Sequence, residues 1–232
     1  MGMAESGDSE LIRVTLIDYF SDEVLVDNLV EPDVPMRHLN TQYSGVTWSD
    51  MRRAQRQGTC LKGKAMARAA VWWFVGTETV VVGHGVSNDL RAMRWVHALV
   101  VDSFVIEFGY VKRKEAEIAA AAEKEVERTK AMGGERTVAS FVEQDSLLGD
   151  YVNAGTPLAD MPGNLHDAQG KQTAPKAKKK KGSGNLALKN LVEKRLHRQI
   201  QMAGKAGHDS LEDAIAARDL VHWIIMNPDC ER

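Results

Sequence analysis

The chain alternates apolar and polar positions most clearly near its start. "LIRVTLIDYF" and "EVLVDNLVEP" are rich in β-branched residues and joined by the short polar Ser21-Asp22, a pattern that predicts an antiparallel hairpin. After the polar stretch "PDVPMRHLNTQYSGVTWSD" the periodicity turns helical from about Ser49 to Trp73, running across Gly58 and Gly63. "TVVVGHG" and "ALVVDSFVIEF" are apolar throughout, with a short helix "NDLRAMRWV" between them. Apolar runs alternating with helices predict buried parallel strands, which makes the fold class α/β.

The pattern then changes. "KRKEAEIAAAAEKEVERTKAM" is a helix by propensity with a thin apolar stripe, and the Gly-, Pro- and Lys-containing stretch after it reads as a disordered linker. "NLALKNLVEKRLHRQIQ" restores an amphipathic helix with Leu188, Leu191, Val192 and Leu196 on one side, and a last helix is predicted from about Ser210 to Met226. The expected organisation is a first globular part over 1–110, a helical then lysine-rich insertion over 111–184, and a closing globular part over 185–232.

Composition narrows the class. At 232 residues and 44% hydrophobic the chain has ample material for a packed core. No apolar run approaches the roughly 20 residues of a membrane span, and the acidic "MGMAESGDSE" is unlike a secretory signal, so an intracellular protein without membrane contact is expected. Cys60 and Cys230 have neither metal-ligand spacing nor a disulfide framework. The net charge of -2 gives no general attraction to polyanions, so a nucleic-acid surface must come from local clustering. One such cluster is Lys176 with Lys178 to Lys181, open to three readings: a solvated linker, a nuclear-import signal or an RNA contact.

Two stretches carry candidate chemistry. In "VVVGHGVSNDLRAM" a strand runs into Gly83-His84-Gly85 and a helix begins near Asn88-Asp89. Asp89 there is either a helix-start carboxylate or a cation ligand at the sheet edge. In "GHDSLEDAIAARDL" helix-start chemistry accounts for Asp209, Ser210, Glu212 and Asp213, and leaves His208 over. His208 in the loop and Asp213 one turn inside the helix can converge on one small volume.

Taken in order, "ELIRVTLID…EVLVDNLVEP", "TQYSGVT", "VVVGHGVSNDLRAM", "VVDSFVI", "LALKNLVEKRLHRQIQ" and "GHDSLEDAIAARDL" resemble the DEDDh 3′-to-5′ exonuclease superfamily, and within it the Rex-type eukaryotic RNA exonucleases. The resemblance covers about residues 9 to 108 and 185 to 226. It implies a ribonuclease H-like mixed sheet flanked by helices, interrupted by the insertion. It also implies a two-metal site for Mg²⁺ or Mn²⁺ that cuts phosphodiester bonds at the 3′ end of single-stranded RNA, with DNA as an alternative substrate. On it, His208 matches the general base, Asp213 and Asp89 match metal-binding carboxylates, and His84 and Asn88 match a segment contacting the terminal nucleotide. Asp102 matches a structural aspartate, and His97 reads as a surface histidine. A monomeric RNA-processing hydrolase is the expectation, nuclear or nucleolar with the cytoplasm as the alternative.

One departure matters. The family's first motif, Asp-x-Glu on the first strand, has no counterpart, and Met1-Gly2-Met3 resembles the residues just after that motif. The expectation is therefore a sheet lacking its first strand and a metal site lacking half its carboxylates. A catalytically inactive pseudo-exonuclease, holding RNA or a protein partner, is the competing reading. An HD-type phosphohydrolase built on His208-Asp209 is disfavoured, because that fold is helical and the first half here is rich in strands.

Overall fold

The computed structural model describes residues 1–131, 186–202, 204 and 207–228. They fall into two compact units, one of 1–107 with 188–232 and one of 108–187.

In the first unit, β1 (Gly2–Ala4) lies between β2 (Ser9–Glu10) and β5 (Met36–His38), antiparallel to both. The expected hairpin is β3 (Arg13–Ile17) with β4 (Val24–Glu31), Arg13 opposite Leu29 and Ile17 opposite Val24. Its turn places Asp22 at a positive φ of 64°. Asp18 stabilises that turn by accepting the backbone N–H groups of Phe20 and Ser21.

The single helix expected from Ser49 to Trp73 is in fact two. α1 (Thr41–Ser44) is a single turn, followed by α2 (Trp48–Gln57), which opens with a capping box: Thr47 accepts from the Asp50 N–H while Asp50 accepts from Thr47. α2 stops at Gly58, whose φ of 68° lets its N–H fold back on Ala54 and Gln55. Strand β6 (Leu61–Lys62) then runs parallel to β4 before α3 (Gly63–Trp72). The glycines break the helix because only they adopt the left-handed backbone there without penalty.

β7 (Val81–Gly83) and β8 (Val100–Asp102) are the expected parallel pair, with α4 (Val86–Ala92) between them. The run "ALVVDSFVIEF" is only partly strand: α5 (Ser103–Ala131) begins directly after Asp102, whose carboxylate accepts the Phe104 N–H. Within the second unit α5 is laced by ion pairs at i, i+3, Lys112 with Glu115 at 2.8 Å and Arg128 with Glu125 at 3.8 Å. The lysine-rich linker expected after it lies outside the described residues.

In the first unit, α6 (Leu188–Leu196) packs on α7 (Ser210–Met226) through Val192, Ile200 and Ala216. The main core joins Leu11, Val14, Val26 and Val30 of the hairpin region to Ala67 and Val71 of α3 and to Met93. A smaller cluster of Ile12, Leu39, Val46 and Met51 lies beneath α2. Among the described residues no strand joins β3-β4-β6 to β7-β8, and α7 packs against both β3 and β7. Buried Glu107 and Arg195 form a two-pronged ion pair, both contacts 3.1 Å, and the Arg195 guanidinium lies over the Trp223 ring.

Candidate active site

The β7 end of the site is organised by Asp102. Its two oxygens accept the N–H groups of Gly85 at 2.8 Å and Val86 at 2.9 Å, so it caps α4 from the neighbouring strand. The structural role expected for Asp102 is what these contacts describe. Gly85, at φ 71°, makes the turn into α4.

His84 Nδ1 lies 2.9 Å from Ser103 Oγ, which in turn donates to the Gly83 carbonyl at 3.1 Å. Since the Ser103 proton is committed to Gly83, Ser103 accepts from His84, which fixes the imidazole with its proton on Nδ1. The ring packs edge-on to Phe104 at 5.8 Å. Asn88 is exposed in the first turn of α4. His97 is not a surface group: it is half-buried, bonds the Thr79 carbonyl at 2.7 Å and packs on Trp95.

Asp89 keeps solvent access in the first turn of α4 yet is ringed by protein on its other sides. That crowding pushes its carboxyl up to about 6, against the pull of the Met1 α-ammonium and with a smaller push from Asp102.

The second group of candidate residues lies at the start of α7. His208 Nδ1 is 3.7 Å from Asp213 Oδ2, too long for a hydrogen bond and close enough for charge to be felt. Burial raises the Asp213 carboxyl, and the Gln201 side chain and His208 oppose that rise. Gln201 Nε2 donates to Asp213 Oδ1 at 2.8 Å, leaving Oδ2 on the His208 side. The Gln201 backbone N–H donates to Glu212 at 2.8 Å, and its φ of 58° turns it toward both acids. Asp209 caps α7 by accepting the Leu211 N–H. Arg13 of β3 reaches Asp209 at 3.2 Å while bonding Asp27 of β4 twice, at 2.9 and 3.0 Å, so the His208 loop is tethered to the hairpin.

The same loop rests on α1 through bare backbone. Gly45 and Gly207 both have positive φ, and a Cβ on either would overlap the other segment: Gly45 would meet the His208 carbonyl, and Gly207 the Thr41 carbonyl and Gly45 itself. Exposed Tyr43, on this turn, stands edge-on to the His208 ring at 6.0 Å.

Sequence reading missed Gln201, Arg13 and the Gly45–Gly207 junction. A signal existed for the junction, since both glycines flank segments singled out for their chemistry.

Among the described residues the donor set falls short of a two-metal centre. A hard divalent cation of this kind seeks about six oxygen ligands, and among the described residues no three His, Cys, Asp or Glu side chains converge to hold one.

The chain is similar in parts of its sequence to proteins named as RNA exonucleases and a small RNA degrading nuclease, and its mixed α/β fold resembles part of a module that contains an RNA exonuclease. It is 36% identical over 109 residues to small RNA degrading nuclease 3 of Arabidopsis thaliana, covering 47% of this chain and 13% of that one. It is 29% identical over 106 residues to RNA exonuclease 3 of Candida glabrata, covering 46% of this chain and 25% of that one. The chain thus spans a quarter or less of the length of these relatives. In structure it resembles the pseudoubiquitin hydrolase-RNA exonuclease module of Saccharomyces cerevisiae Pan2 in complex with AAGGAA RNA, with a TM-score of 0.52 at 16% identity over 96% of this chain and 26% of that chain. No family model matches the chain.

Proposed function

We propose that this chain is a 3′-to-5′ exoribonuclease that removes nucleotides from the 3′ end of single-stranded RNA. The observation that carries the reading is the placement of His208 3.7 Å from Asp213 at the start of α7. In this reading His208 accepts the proton of the attacking water, because its loop is held from β3 through Arg13 and from α1 through the glycine junction. Asp213, fixed by Gln201, stabilises the imidazolium that forms. Asn88 and His84 hold the terminal nucleotide, His84 in the tautomer set by Ser103. The likeness to relatives named as RNA exonucleases, and to a fold in complex with RNA, supports the substrate class.

The resemblance implies Mg²⁺ or Mn²⁺ as cofactor, which the described carboxylates alone do not hold. Asp89 and Asp213 are the described carboxylates that match its ligands, two of the four the family uses. The Lys176–Lys181 run favours a nuclear address, the chain acts as a monomer, and DNA ends are a secondary substrate.

The missing convergence of three ligands among the described residues favours a second reading, a non-catalytic module that binds RNA or protein. Incubation with 5′-labelled RNA and Mn²⁺ separates the two. A ladder shortening from the 3′ end with release of 5′-mononucleotides is expected. Retained RNA binding with no shortening, on this chain and on a version preceded by an Asp-x-Glu strand, overturns the enzyme reading in favour of the binding module.

A further inference from the structure

Residues 51–68 contain six Lys or Arg and no Asp or Glu, in a chain whose net charge is -2. Some of these cations are spoken for. Lys64 grips buried Glu10 at 2.7 and 2.9 Å, Arg53 pairs with Asp50 at 2.6 Å, and Arg68 donates to the Met93 carbonyl. Arg52, Arg56 and Lys62 are exposed, and no carboxylate pairs with any of them among the described residues.

Helical spacing arranges what remains. Trp48, Arg52 and Arg56 stand at i, i+4 and i+8 of α2, one stripe on the side away from buried Met51 and Ala54. Trp48 is 44% exposed although it is the largest apolar side chain of the helix. Two arginines one turn apart repel each other and weaken a helix, so core packing and helix propensity do not account for the pattern. The stripe also begins beside the site. Trp48 comes three residues after Gly45, and Gly45 abuts the His208 carbonyl.

We propose that the Trp48–Arg52–Arg56 stripe binds the backbone of single-stranded RNA upstream of the 3′ end. The inference rests on the exonuclease reading for the location of that end. A flat aromatic ring followed by cations about 6 Å apart along the helix axis suits a strand that stacks one base and lays successive phosphates on arginines. Charge decides the occupant: two exposed arginines paired with no carboxylate among the described residues favour a polyanion, and the adjoining site in this reading takes an RNA end.

The test measures salt-dependent binding of the full chain to a labelled oligouridine of roughly 12 nucleotides, and to a dinucleotide that reaches only the 3′-terminal site. Loss of two phosphate contacts in the R52Q/R56Q double variant is expected to weaken oligouridine binding about 25-fold near 0.1 M salt and lower the salt slope by about 1.4. Dinucleotide binding is expected to stay unchanged. The R52K/R56K variant, which keeps charge, is expected to keep the slope, and this separates phosphate contact from damage to α2. Unchanged oligouridine affinity and slope in R52Q/R56Q overturn the inference and leave the exonuclease reading standing. Equal loss for the dinucleotide also overturns it. A parent chain that binds no single-stranded RNA at all removes both.

Discussion

The glycine junction that seats His208 gives the most stringent structural prediction, the substitution Gly207→Ala. A Cβ at this position would lie 2.6 Å from both Cα and N of Gly45, with the Thr41 carbonyl closer still. Ordinary contact begins near 3.4 Å, so the loop must move away from α1 by at least about 0.8 Å, and further to clear the Thr41 carbonyl. Two costs add. A left-handed backbone at a residue with a Cβ costs about 1–2 kcal/mol, and overpacking against immobile backbone about 1–3 more. Gly58→Ala isolates the first cost, because Gly58 has φ 68° and a Cβ there meets nothing within 4 Å. Urea unfolding of both variants is therefore expected to show Gly58→Ala losing about 1 kcal/mol and Gly207→Ala about 3 kcal/mol. With His208 as the base of the proposed function, displacing it by about an ångström lowers turnover by about 100-fold, so RNA trimming should collapse in Gly207→Ala and survive in Gly58→Ala. Equal destabilisation of the two variants, or trimming at the parent rate by Gly207→Ala, refutes the claim that the junction positions His208.

Individual contacts give further expected outcomes. Because Asp89 is pushed up to about 6 in the folded chain from an ordinary 3.8, the native state binds its proton more tightly than the unfolded state. Its contribution is most favourable below about pH 4 and is lost as pH rises through 6, so Asp89→Asn should melt higher than the parent at pH 8 in metal-free buffer, with the gap closing toward pH 4. Arg195→Met strands the buried Glu107 carboxylate and should cost about 3–5 kcal/mol in denaturant unfolding, whereas the double change with Glu107→Leu should recover much of it. Thr47→Ala removes the capping box of α2 and should cost about 1 kcal/mol, read in the same experiment.

The hairpin and α7 are legible in the sequence from their apolar periods, and the β7–β8 pair from two short apolar runs with a helix between them. The helix break at Gly58 is not, since strong helix formers on both sides outweigh one glycine in any periodicity count; only the positive φ at Gly58 decides it. "SFVIEF" reads as strand because a short apolar run carries no period, and the Asp102 carboxylate turns it into the first turn of α5. His208 and Asp213 stand out from their spacing along one loop and helix. Gln201 and Arg13 do not, because their contacts depend on a left-handed backbone at Gln201 and on the packing of β3 beside the start of α7. Such contacts join residues 12 and 196 positions apart and leave no local pattern.

The central claim is that His208 is the proton acceptor of an RNA-trimming site. Its most direct test is the rate of 5′-mononucleotide release from single-stranded RNA by the parent chain and by His208→Ala, compared at matched folding and RNA binding. A drop of about 100-fold or more with unchanged RNA affinity is predicted, and a rate within about threefold of the parent contradicts it.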